Sequence, residues 1–151
     1  MLWISLLIIH GLMAFALLGA VTHQAASLFW TRGKRDFIES YASVRSQLFT
    51  NGIIILFLLT FTMGSWIYTN YRYTVRPVLE DLGYAGYVGI FEYKEHVLAV
   101  ALCMLPAYWL LWKRVPLTEQ TLARKALTLI VTLSVWIGFI GGHLVNNARG
   151  L

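Results

Sequence analysis

Three observations predict an all-α integral membrane protein, a four-helix bundle. The chain has 151 residues, 58% hydrophobic and only 13% charged, whereas soluble domains are about 25% charged. Its mean hydropathy is +0.66. Its apolar residues form four long runs, separated by short stretches that carry the charges. We therefore expect one membrane domain, residues 1–151, and we attribute the net charge of +5 to membrane topology rather than to nucleic-acid binding.

Each of the four runs approaches the roughly 20 apolar residues that a membrane-spanning helix needs. The first extends from about Leu2 to Leu28 and the second from about Phe49 to Tyr68. The third begins near Val88 or Val97 and ends near Trp112, and the fourth extends from about Ala126 to Val145. The first run has no basic segment before it and is longer than the apolar core of a signal peptide. We therefore keep it as a helix of the mature protein.

The long connection from Tyr68 to Tyr93 is rich in aromatic residues and glycine and contains no serine. This composition indicates an ordered cap over one face of the bundle rather than a flexible tether.

Lysine and arginine are distributed unevenly between the two sides of the predicted membrane. Eight of the twelve lie in the connections after the first and third helices. By the positive-inside rule these connections are cytoplasmic, so both termini face the exterior of the inner membrane. The eight residues are Arg32, Lys34, Arg35, Arg45, Lys113, Arg114, Arg124 and Lys125.

Four histidines occur in this apolar chain, and ionisable side chains within a bilayer usually mark function. In the predicted topology His10, His96 and His143 all fall in the exterior half. His96 lies 17 residues before Lys113 and His143 lies 18 residues after Lys125, so these two are at nearly the same depth.

Imidazoles that converge inside a helix bundle are typical axial ligands of b-type haem. Their similar depth favours His96 and His143 as the two ligands. Diagonal packing of the first and third helices would instead favour His10 and His96. Both pairs stay open, with His96 common to them. His23 has no partner histidine in its half of the membrane. We therefore expect one haem per chain and assign His23 to a helix end.

Four basic residues lie at the exterior edge, where haem propionates need cationic partners: Arg72, Arg76, Lys94 and Arg149. A solvated rim explains them equally well. Glycines on the first and fourth helices either admit a flat macrocycle or serve ordinary helix packing.

Copper is the second candidate cofactor, because thioether and imidazole together suit Cu(I). Met13 lies one helical turn from His10, and Met104 lies two turns from His96. Methionine is more often a filler of apolar cores, so we rank copper below haem.

Two segments resemble known haem-binding membrane proteins. The opening from Met1 to His10-Gly11 resembles the HemJ-type protoporphyrinogen oxidases and the copper-resistance D family. The ending from Gly141 to Val145 is similar to a helix-end motif of small cytochrome b-like membrane proteins. The resemblance implies haem b in a four-helix bundle. The HemJ type also carries a lysine on its third helix, for which Lys94 is the nearest candidate.

The expected function is therefore that of a b-type haem subunit in a larger respiratory or photosynthetic complex. It would pass electrons between a membrane quinone and an exterior redox partner such as a cytochrome. Two alternatives remain: a haem-free accessory subunit that stabilises a larger complex, and a copper-handling or haem-synthesis membrane protein.

Overall fold

The computed structural model describes residues 2–29 and 46–149, and these residues are helical except for the turns at 82–84 and 114–120, with no strand among them. The helices are α1 (Leu2–Phe29), α2 (Ser46–Asn70), α3 (Arg76–Asp81), α4 (Ala85–Lys113) and α5 (Thr121–Arg149). All but α3 are long and apolar enough to cross a membrane. The chain is therefore a multi-pass membrane protein, as its composition predicts.

The helices extend beyond the predicted membrane spans at nearly every end. The third begins at Ala85 and thus before both predicted starts, and the fourth runs from Thr121 to Arg149 instead of from Ala126 to Val145. Hydropathy marks where apolar side chains stop. A helix continues further, because its backbone hydrogen bonds do not require apolar side chains.

The connection between α2 and α4 is ordered, as its composition indicates, and most of it is helical. Helix α2 continues through a π-helical segment, Tyr71–Val75, directly into α3. The wider turn precedes Pro77, which has no N–H group for the helical ladder and clashes with the preceding turn. Only 82–84 turn back, with Gly83 at a φ of 78° that favours glycine.

The four long helices form a bundle in which α1 packs against α2 and α5, and α4 packs against the same two helices. Helices α1 and α4 therefore lie on a diagonal. We call the end where α1 and α4 begin and α2 and α5 end the upper end. The opposite end, which holds Phe29, Ser46, Lys113 and Thr121, is the lower end.

Polar side chains in the lower half bond to one another across the helices. Gln24, which has no exposed surface, donates to the Thr50 hydroxyl at 3.2 Å and accepts a bond from the Tyr108 hydroxyl. The Trp112 indole donates to Thr128 at 3.0 Å. These bonds link α1 to α2 and α4, and α4 to α5. They hold the lower half together within an otherwise apolar core.

Arg124 is fully buried and forms the hydrogen-bonded end of the α4–α5 hairpin. Its guanidinium donates to the Leu111 carbonyl at 2.7 and 2.9 Å, and to the carbonyls of the turn between the helices. The turn acceptors, at 3.0 to 3.2 Å, are Val115, Pro116, Leu117 and Glu119. Arg124 is therefore a structural cap and not the surface charge that the orientation argument counted.

Other residues in that argument lie outside the described residues, namely Arg32, Lys34, Arg35 and Arg45. The side chain of Arg149 does as well.

Candidate functional site

A cavity of about 230 Å³ lies in the upper half of the bundle and is lined by all four long helices. Its floor consists of Leu17, Phe57 and Val135, which are buried. On α1 the lining extends from Leu7 to Leu17, a distance of about 15 Å along the helix axis. The polar side chains in its walls are His10, Thr60, Lys94, Glu95, His143 and Asn146. It is a deep apolar cavity with a band of polar groups above its floor.

His10 reaches the cavity from α1 and is held against α2. Its ring lies beside the backbone of Thr60, and its Nδ1 is buried with no hydrogen-bond partner. A Cβ atom on Gly64 would lie 3.0 Å from His10 Cε1, so the missing side chain at Gly64 makes room for the imidazole. The Thr60 hydroxyl is also buried without a partner. Unpaired buried groups typically cost about 1–3 kcal/mol each, so this wall favours a ligand that supplies polar atoms.

His143 lines the same cavity from α5, the neighbour of α1. Its ring lies parallel to that of Phe139, with the ring centroids 6.4 Å apart and an interplanar angle of 3°. Two of the three predicted ligand histidines therefore meet at one cavity, and they come from adjacent helices.

His96, the residue common to both predicted ligand pairs, lies elsewhere. Helices α1 and α4 are diagonal, as the second pair requires, but His96 is exposed on α4 and does not line the cavity. Its Nδ1 lies 2.7 Å from the Glu92 carbonyl. His23 is exposed in the lower half of α1, with its ring 4.9 Å from that of Phe49, in keeping with the helix-end assignment.

Lys94 occupies the wall of α4, where His96 was expected. Its side chain is largely buried, and its ammonium pairs with Glu95 and lies 3.8 Å from the centroid of the Phe91 ring. Its aliphatic stem crosses α5, and a Cβ on Gly141 would lie 3.3 Å from Lys94 Cδ. The cavity thus contains one basic and one acidic side chain side by side.

Neither Arg72 nor Arg76, the other predicted cationic partners whose side chains are described, lines the cavity. Arg72 is exposed at the upper end. Arg76 donates to Glu80 at 2.8 Å and to Glu92 at 2.6 Å, which links α3 to α4. Glu92 is thus part of a surface ion pair and does not line the cavity, whereas Glu95 does.

The glycines have divided roles. Gly11 lines the cavity with open space at its Cβ position. By contrast, a Cβ on Gly138 would lie 2.8 Å from Leu98 Cδ1, so Gly138 serves helix packing. Gly19 does not line the cavity.

Sequence reasoning missed Thr60 and Gly64. They lie four residues apart on α2 and so share one face of that helix. A small polar residue and a glycine at that spacing, inside an apolar helix, were the available signal.

The methionines considered for copper lie away from the cavity. None of Met13, Met63 and Met104 lines the cavity. Within residues 2–29 and 46–149, no three side chains of histidine, cysteine, aspartate or glutamate are grouped as metal ligands would be.

Comparison of the chain with known proteins found no matching family model, no matching curated protein and no matching solved structure. The resemblance to small haem-binding membrane proteins stays a prediction.

Proposed function

We propose that this protein binds one b-type haem in the upper cavity, where His10 and His143 would hold it. The observation that carries the proposal is that two histidines from adjacent helices line one apolar cavity: His10, which has a buried nitrogen without a partner, and His143, which is itself exposed. The partners that orient a ligating histidine lie next to its ring, and the Thr60 backbone lies close to the His10 ring.

The residues present fit such a group on three counts. Gly11 leaves open space beside His10, the floor is apolar, and the walls carry a basic side chain. Bound haem would supply reversible one-electron transfer. His10 and His143 would hold the iron of such a group, and the apolar floor would exclude water from the site.

In the cell, we propose, the protein passes electrons between a membrane quinone and an exterior redox partner, as a subunit of a respiratory or photosynthetic complex in the inner membrane. The upper end of the bundle, next to the cavity, would face the exterior. The support is the position of the cavity in one half of four membrane-spanning helices. A cysteine reporter placed beyond Arg149 and labelled from outside the cell tests this orientation.

The test of haem binding is a reduced-minus-oxidised spectrum with a pyridine haemochrome assay on protein purified from cells supplied with haem. We expect a b-type α-band at about one haem per chain. His10→Ala should abolish the band and His143→Ala should abolish or shift it. The matched controls His96→Ala and His23→Ala should retain it. A haem-free wild-type protein, or loss of haem only in His96→Ala, would contradict the proposal.

The rival function is a haem-free accessory subunit, and one observation favours it. The cavity, at about 230 Å³, is below the usual 300–1,000 Å³ range of ligand pockets. The same spectrum separates the two functions, because an accessory subunit stays colourless. A haem-synthesis role, which the resemblance at Lys94 suggests, would show instead as turnover of a porphyrinogen substrate.

A further inference from the structure

Lys94 is the basic side chain that the cavity itself presents. It is 7% exposed, and a buried charge is costly unless it is paired. Its stem is seated against Gly141 and Gly142 of α5, with Lys94 Cε 3.9 Å from a Cβ position on Gly142. The ammonium is thereby directed to a fixed position in the cavity wall, over the Phe91 ring.

The carboxylate that pairs with this ammonium comes from the next residue in the chain. Consecutive residues on a helix do not face each other, so Glu95 must turn toward Lys94 to form the pair. The Glu95 side chain is 28% exposed, which gives it room to withdraw without being buried elsewhere. It also lines the cavity. A carboxylate from a ligand could therefore take its place at the ammonium.

The arginines described at the upper end, Arg72 and Arg76, do not share the position of Lys94 in the cavity wall. Arg76 already holds two carboxylates, those of Glu80 and Glu92, and it does not line the cavity. Arg72 is exposed and also lies off the cavity. Of the described side chains, Lys94 is thus the one placed to select an acidic ligand.

We propose that Lys94 recognises a carboxylate of a tetrapyrrole in the cavity, and that Glu95 occupies this position until the ligand arrives. This inference rests on the proposed function, because it takes the ligand to be a tetrapyrrole. It assigns specificity to Lys94, and it makes Glu95 an internal competitor of the ligand. Metal ligation by histidine is a separate interaction, so the two can be tested separately.

The experiment uses metal-free protoporphyrin IX and its dimethyl ester, which differ only in the carboxylates and offer no iron to the histidines. Binding of each to the purified full-length protein in detergent is followed by porphyrin fluorescence. The wild-type protein should bind the diacid about tenfold more tightly than the diester, since hydrogen bonds to charged groups are stronger than neutral ones. Lys94→Gln should remove this preference by weakening diacid binding alone.

Two further variants examine the competition and the specificity of the effect. Glu95→Gln should bind the diacid several-fold more tightly, because the ammonium then lacks its internal partner. Arg76→Gln removes a cation from the same end of the bundle and should leave the preference unchanged.

Each other outcome would overturn the inference in a recognisable way. Equal binding of diacid and diester by a wild-type protein that shows the b-type spectrum would reject the role of Lys94 and leave haem binding intact. Displacement of the diacid by equimolar oleate would mean that the carboxylate recognised is that of a fatty acid. A protein that binds neither porphyrin nor haem would overturn this inference and the proposed function together.

Discussion

The two halves of the bundle treat buried polar groups in opposite ways. In the lower half, Gln24, Tyr108 and Arg124 are bonded to other parts of the chain, and these bonds connect the helices. In the upper half, His10 Nδ1 and the Thr60 hydroxyl are buried without partners beside a cavity. The lower half satisfies its own polar atoms. The upper half leaves its polar atoms for a ligand, which is typical of a site that gives up stability for binding.

The largest expected effect is in the lower half. Arg124→Met should destabilise the protein by about 3 kcal/mol or more, because it removes a buried cation and leaves several carbonyls without donors. Thermal unfolding in detergent measures this change. The matched variant Arg114→Met removes an exposed cation that lies 5.3 Å from the Trp109 ring and should cost far less. Equal stability of the two variants would contradict the capping role.

A second pair of variants tests how tightly His10 is seated. Gly64→Ala places a methyl group 3.0 Å from His10 Cε1, and we expect a loss of about 1–2 kcal/mol together with reduced haem content. Gly52→Ala, on the same helix, meets nothing within 4 Å and should change neither quantity. The measurements are unfolding temperature and haem per chain. Normal haem content in Gly64→Ala would show that the position of His10 tolerates movement.

Two threonines on α2 compare the two halves directly. Thr50→Val removes an acceptor of Gln24 and should cost about 1 kcal/mol, whereas Thr60→Val removes a hydroxyl that bonds to nothing and should be neutral or stabilising. The free energy of unfolding of the haem-free protein, measured for each variant, tests these two expectations. If Thr60→Val costs as much as Thr50→Val, the contrast between the halves is wrong.

The smallest expected effect concerns the seat of Lys94. Gly141→Ala brings a methyl group to 3.3 Å from Lys94 Cδ, so the lysine must shift by a few tenths of an ångström. Gly142→Ala meets Lys94 only at 3.9 Å, an ordinary contact. We expect about a twofold loss of the preference for porphyrin diacid over diester in the first variant and none in the second. The opposite order would mean that Gly142 determines the position of Lys94.

Much of the fold was predictable because a run of apolar residues long enough to cross a membrane is a strong signal that can be read locally in the sequence. The four long helices follow from it, and so do the positions of their apolar centres. The ends of the helices do not follow, because Arg76 and Tyr71 continue the helical chain of α2 above its apolar part. The site was predictable only in part. The predicted topology placed His10 and His143 in the same half of the bundle, but the direction of a side chain around its helix depends on packing.

The directions of the side chains around α4 show this dependence on packing most clearly. Lys94 and His96 are two residues apart, so they point to different sides of the helix. The sequence alone favoured the histidine on chemical grounds, yet Lys94 lines the cavity and His96 is exposed.

By itself the sequence determined the class of the protein, the number of its long apolar helices and the half of the bundle that holds His10 and His143. These properties depend on the order of apolar and polar residues along the chain. Only the tertiary structure decided that α1 and α4 lie diagonally, that His10 meets Gly64 and Thr60, and that Arg124 is a buried cap. These depend on which helix faces which, and that is set by side-chain packing between distant parts of the chain.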